Sequence, residues 1–167
     1  MPRPALEQPL SLRLSTWLPY RLFVVTAQIA RPLEAFYGER FGLSQAGWRI
    51  LAVIAERDGA SASEIGRAAG LDPFAVSRGI GQLVELGFAK RNTGKTDRRQ
   101  AAVVITHPGR KAFDEIAALG RAIEDRLLAT LGAEERAVFD SGLRKLQGES
   151  AEIEAMGWRA LVAGDGS

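Results

Sequence analysis

Between Ser61 and Thr106 the apolar residues change their period, and that change limits the folds open to the chain. Up to Leu86 they recur at helical spacing in two short blocks; beyond Gly87 they alternate, as in strands. Ser61 and Glu64 have the S-x-x-E spacing of a capping box, in which each side chain satisfies a backbone donor of the other residue. Ile65, Ala68 and Ala69 continue it as an i, i+3, i+4 stripe, and Gly70 suits the left-handed residue that closes a helix. Leu71 can pack between the blocks. Asp72 and Pro73 then open a second helix, an N-cap acceptor followed by the residue best tolerated at the first helical position. Two short helices, a tight turn and a hairpin make a helix-turn-helix with a β-ribbon wing, a shape suited to the grooves of duplex DNA.

On the second helix, Val76, Ile80, Leu83 and Val84 are expected inside, and Phe74, Ser77, Arg78, Gly81, Gln82 and Glu85 outside. Arginine can pair with guanine edges and glutamine with adenine edges, while an apolar ring can meet a thymine methyl or a sugar. Gly79 and Gly81 weaken a helix and so imply close approach to something. Phe88 to Arg91 and Ala101 to Ile105 read as paired strands, with Val103 and Ile105 on one face. The loop between them, Asn92 to Gln100, is too polar to pack; it holds Lys95, Arg98 and Arg99 around one acid, Asp97. Cationic side chains on a protruding hairpin are what phosphate neutralisation or minor-groove insertion requires. The charge balance agrees: Ser61–Lys111 carries +5 and Ala112–Ser167 carries −5, in a chain of net +2. One face is thus turned to a polyanion and another away from it.

The flanks are helical. Leu10 to Gly38 carries a broad stripe of Trp17, Leu18, Leu22, Val25, Ile29, Leu33 and Phe36, with Pro19 near its start and Pro32 expected to kink it or shift its register. Ser44 caps a helix from Gln45 to Arg57, and Thr106 caps another that tolerates Pro108 in its first turn and runs to about Thr130. After Gly132 a last helix is expected from Ala133 to about Arg159, with a tail from Ala163 to Ser167. These long helices have little to cover within one protomer, which argues that a second copy satisfies them. The division expected is an arm and dimerisation helix over 1–40, a winged helix-turn-helix over 41–107, and dimerisation helices with the tail over 108–167. The fold class is mainly α with a small β wing.

At this point the chain resembles the MarR-type winged-helix transcriptional regulators, from about Leu12 to Leu146. The likeness is carried by Leu43-Ser44-Gln45-Ala46-Gly47-Trp48-Arg49-Ile50-Leu51, by Val76-Ser77-Arg78 with Leu83-Val84-Glu85-Leu86-Gly87-Phe88, and by Asp97-Arg98-Arg99 followed by Val103-Val104-Ile105-Thr106 and Gly109. The last resembles the family's wing signature, with Ile105 in place of a usual Leu. The resemblance implies a homodimer on a pseudo-palindromic operator, usually a repressor released by a small effector. It also implies that Arg99 is the wing arginine entering the minor groove and Asp97 the acid that orients it. The expected contacts to double-stranded DNA are Phe74, Ala75, Ser77, Arg78 and Gln82 on the second helix, and Lys95, Asp97, Arg98 and Arg99 on the wing. For an effector cavity, Trp17, Tyr20, Arg21, Phe23 and Trp48 offer aromatic walls and a cation suited to an aromatic acid or another organic anion; the alternative is that these aromatics fill the core.

Other chemistry finds little support. Gly94-Lys95-Thr96 resembles the end of a phosphate-binding loop, but Ala89 stands where the first glycine belongs and a strand follows instead of a helix. Gly79 and Gly81 form G-x-G inside a helix, without the third glycine. His107 is the sole imidazole and cysteine is absent, which removes thiol sensing and leaves little for a transition metal. No nucleophile and base are paired, so no enzyme and no cofactor are expected. No signal-peptide pattern opens the chain, and the apolar run Leu22–Val25 is far short of the ~20 residues of a membrane span; a cytoplasmic protein with no membrane contact is expected. The competing functional class is a winged-helix module that docks a protein without specific DNA binding.

Overall fold

A computed structural model describes residues 12–92 and 102–164. The chain divides into two compact units, Met1–Arg121 and Ala122–Ser167.

In the first unit, α1 (Leu18–Phe41) begins with Pro19 in its first turn, continues unbroken through Pro32 and closes on Gly42 in the left-handed region at φ +67°. Its second half joins the core through Tyr37, with Leu33, Phe36 and Phe41 half-buried beside it. Its first half does not: Trp17, Leu18, Tyr20, Leu22, Phe23 and Val25 are all exposed. Then come α2 (Gln45–Glu56), α3 (Ala62–Ala69) and α4 (Pro73–Glu85). Ser44 caps α2 by accepting the Gly47 N–H at 3.0 Å. The capping box at α3 forms as expected, the Glu64 carboxylate accepting from the Ser61 backbone N–H at 2.8 Å and hydroxyl at 2.7 Å. Those bonds hold the Glu64 carboxyl below its ordinary range. Asp72 caps α4 by accepting from Phe74 and Ala75 N–H at 2.8 and 2.9 Å.

The wing strands β1 (Ala89–Asn92) and β2 (Ala102–Ile105) pair antiparallel, Ala89 opposite Ile105 and Asn92 opposite Ala102. A bridge from Ala60 to Val103 ties β2 to the segment before α3, with Val103 N–H donating to Ala60 O at 3.0 Å. Asp58, which reads in the sequence as a turn residue, accepts from the Ile105 N–H at 2.9 Å. These bonds fix the root of the wing to the end of α2. The wing-tip residues Lys95, Asp97, Arg98 and Arg99 lie outside the described residues.

α5 (His107–Leu128) starts in this unit. Thr106 caps it by accepting the Gly109 N–H at 3.1 Å while its hydroxyl donates to Gly87 O at 2.6 Å. The core is built from Ile50, Leu51 and Ile54 of α2, Ile65 of α3, Val76, Ile80 and Leu83 of α4, Val103 of β2, and Ala112 and Ile116 of α5. Burial of each large aliphatic side chain there stabilises by about 1.5–3 kcal/mol, which locks α4 by its inner face and leaves its outer face for other use.

The second unit holds the end of α5, then α6 (Ala133–Met156) and α7 (Trp158–Gly164). Glu135 accepts from the Gly132 N–H at 2.7 Å at the start of α6. The helix expected to run to Arg159 stops instead at Gly157, whose φ of +76° only glycine adopts without strain. Helix α7 then reaches Gly164, into the expected tail, and residues 165–167 lie outside the described residues. No residue of α6 is buried; Val138, Phe139, Leu143, Leu146, Ile153 and Met156 all face solvent. Among the described residues, no helix is long and apolar enough to cross a membrane.

Candidate nucleic-acid interface

Helix α4 sets the site. With Val76, Gly79, Ile80 and Leu83 buried, Phe74, Ser77 and Arg78 point outward from its first two turns. Phe74 is 71% exposed, and the Arg78 guanidinium lies 5.6 Å from the centre of its ring. Ala75 is half-buried beside them and, with Phe74, Arg78 and Gln82, lines a shallow cleft of about 620 Å³ between α4 and the start of α2. Ser77 instead lines a cleft of about 880 Å³ on the other side, shared with Ser63 and Arg67 of α3 and Arg91 of β1. Arg67 escapes a reading of the sequence, where nothing local shows that a cation on the first helix will face the same opening as Arg91 of the basic hairpin.

Two expectations for α4 need correction. Val84 is exposed at 41%, since the core closes over Leu83 and the helix ends at Glu85. Gln82 is half-buried and not free on the outer face. Its carbonyl oxygen accepts from the Ser44 hydroxyl at 2.6 Å and backbone N–H at 3.2 Å, and its amide donates to Gly42 O at 3.1 Å. These three hydrogen bonds serve the junction of α1 and α2, which makes Gln82 a strut there. Gly79 owes its identity to the same packing: a Cβ there would run into Ile50 of α2. Gly81 meets nothing within 4 Å.

Sequence and fold comparisons bear on this geometry. The family profile described as MarR family matches residues 41–100, from the end of α1 to the wing. A regulatory protein assigned to the hcr operon of Thauera aromatica is 30% identical over 128 residues, 77% of this chain and 75% of that protein. The chain belongs to the MarR family. A MarR family regulator from Silicibacter pomeroyi has the same fold, with a TM-score of 0.72 and 26% identity over 82% of this chain and 92% of that one. The HTH-type transcriptional repressor Rv2887 of Mycobacterium tuberculosis is 28% identical over 129 residues, 77% of this chain and 92% of its own length. Its crystal structure in complex with salicylic acid aligns at a TM-score of 0.60, with 27% identity over 78% of this chain and 96% of that one.

As a MarR protein the chain is a DNA-binding transcriptional regulator with a winged helix-turn-helix, and not an enzyme. Within this MarR chain the five effector candidates do not converge. Trp48 is half-buried in the core, stacked on Tyr37 at 6.1 Å and on Phe113 at 5.9 Å. Burial, with the Glu34 carboxylate adding to it, pushes the Tyr37 phenol up to about 12, so it stays neutral. Trp17, Tyr20, Arg21 and Phe23 lie instead on the exposed first half of α1 or at its cap, and the two clefts described above have other walls. Trp48 thus packs against the core, as the alternative reading expects of it.

Proposed function

We propose that two copies of this chain form a dimer that binds a pseudo-palindromic operator and represses transcription. The observation that carries this reading is α4, held by its buried face while Phe74, Ser77 and Arg78 project from its N-terminal turns, the part of a helix-turn-helix that meets base edges. Lys95, Arg98 and Arg99 extend the contact to the backbone and minor groove, with Asp97 orienting Arg99; their place in the sequence, between the two wing strands, supports this. Selection of bound duplexes from a random pool tests the reading. An inverted repeat is expected, with half-site centres about 34–36 Å apart; recovery without sequence enrichment would leave only non-specific binding.

The wing gives a quantitative expectation. Arg99→Ala weakens operator binding and lowers the salt slope by about 0.9 for each phosphate that is no longer neutralised. Unchanged dissociation constants at two salt concentrations would remove Arg99 from the interface.

The dimer reading draws on the exposed apolar side chains of α1 and α6, more than a monomer keeps in water. Sedimentation equilibrium should therefore return twice the 18.0 kDa protomer mass at micromolar concentration; a single-protomer mass there contradicts it. An organic anion such as an aromatic acid is proposed as effector, supported by the salicylic acid complex of the Mycobacterium tuberculosis relative and by the Arg21 cation among the exposed aromatics of α1. Binding heat on titration with aromatic acids, abolished in Arg21→Ala, is the expected signature.

A further inference from the structure

Phe74 and Arg78 stand one turn apart on the outer face of α4, and neither has a role in the core. A ring 71% exposed gains nothing from folding, yet it sits where the Arg78 guanidinium, 5.6 Å from its centre, lies against it. That contact restrains a flexible arginine before any ligand arrives, and a planar fork held in place loses less freedom when it bonds. Among the described residues, Arg78 makes no hydrogen bond to a side chain or backbone group and no ion pair, so its donor edge is available. Beside the pair, the cleft lined by Ala75, Gly81 and Glu85 has room for a base edge, and at Gly81 even an added Cβ would meet open space.

We propose that Phe74 and Arg78 act as one unit that reads a guanine flanked by a C5-methylated pyrimidine. This rests on the DNA-binding reading above. The Arg78 fork takes O6 and N7 of guanine, and the Phe74 ring covers the methyl group of the pyrimidine in the neighbouring pair. Held against each other at 5.6 Å, the two groups are close enough to meet neighbouring base pairs. Thymine carries that methyl. 5-Methylcytosine carries the same group at the same ring position, so the unit accepts a methylated cytosine where it discriminates against a bare one. Cytosine methylation inside the operator therefore strengthens binding at this position.

The test uses the full chain and the duplex obtained by selection. At the pyrimidine beside the guanine contacted by α4, four duplexes are compared, with thymine, deoxyuridine, 5-methylcytosine or cytosine. Within each matched pair only the methyl differs. Thymine over deoxyuridine, and 5-methylcytosine over cytosine, should each bind about fourfold more tightly, the worth of one buried methyl-sized group. Phe74→Ala should erase both preferences and Phe74→Leu should keep part of them; the exposure of Phe74 means neither change disturbs the core, which circular dichroism checks. Arg78→Ala should lose about 5- to 150-fold in discrimination for guanine, and 7-deazaguanine should weaken the wild type but not Arg78→Ala. Equal binding of thymine and deoxyuridine overturns the proposal, as does a methyl preference that survives in Phe74→Ala, or a selected site lacking a pyrimidine–guanine neighbour. If selection yields no enriched duplex at all, the sequence-specific operator reading above fails and this inference falls with it.

Discussion

Gly109→Ala destabilises the protein by about 1–3 kcal/mol or more, the usual cost of forcing an atom into packed space, with a midpoint of thermal unfolding lower by roughly 2–12 °C for a chain of this size. The direction is the informative part, because alanine is worth about 1 kcal/mol more than glycine in a helix and would ordinarily raise stability. At Gly109 a Cβ would overlap the backbone carbonyl of Phe88, which cannot swing aside as a side chain could. The same carbonyl accepts the Thr106 N–H at 3.0 Å, and Thr106 binds both Gly87 O and the Gly109 N–H. The first turn of α5 is thereby pressed onto the end of α4 and the start of β1, and one methyl group must break several of these contacts at once. Gly81→Ala is the matched control: its Cβ meets nothing within 4 Å, and it should stabilise. A Gly109→Ala protein that melts at or above the wild type would show that α5 and Phe88 are not in contact as described.

Gln82→Ala is expected to weaken DNA binding without changing which bases are preferred, and to lower stability as well. Its three hydrogen bonds join α4 to the α1–α2 junction, across separations of 38 and 40 residues. At about 0.5–1.5 kcal/mol net for each bond, and with solvent access to this half-buried site, a loss near 1–3 kcal/mol follows. The consequence for binding is indirect: without the strut, the angle of α4 against α2 is less restrained, and every contact from Phe74 to Arg78 is affected alike. Gly47→Ala should mimic the change, because a Cβ there would meet the Gln82 side-chain oxygen and push the amide out of place. Combining Gly47→Ala with Gln82→Ala should cost little more than either alone. A Gln82→Ala protein of unaltered melting temperature, with relaxed specificity at a single base pair, would instead identify Gln82 as a base reader.

The same residues show how far the sequence could be read. The capping box of Ser61 and Glu64, the Asp72 cap with Pro73, the closing Gly70 and the switch from helical to alternating spacing after Gly87 all act within a few residues of each other. So do the caps Ser44 and Thr106. Arg99 and its wing neighbours remain a reading of sequence, since they lie outside the described residues. Gln82 misleads because its spacing on α4 puts it on the outer side of an isolated helix, and only the approach of Ser44 and Gly42 draws its amide inward. For Trp48 the sequence leaves an effector wall and a core side chain both open, and the stacked rings of Tyr37 and Phe113 come from two other helices.

Local patterning thus determined the succession of helices, the turn, the wing and the polar face that α4 presents, because caps, helical periodicity and strand alternation are written within one or two turns of chain. Tertiary packing decided which of those outward residues are free. It assigned Gln82 to a strut, Trp48 to the core, Asp58 to the root of the wing and Gly109 to a backbone contact, and it laid Arg78 against Phe74. Such choices depend on what distant segments bring to the same place, and the spacing of residues along the chain does not record them.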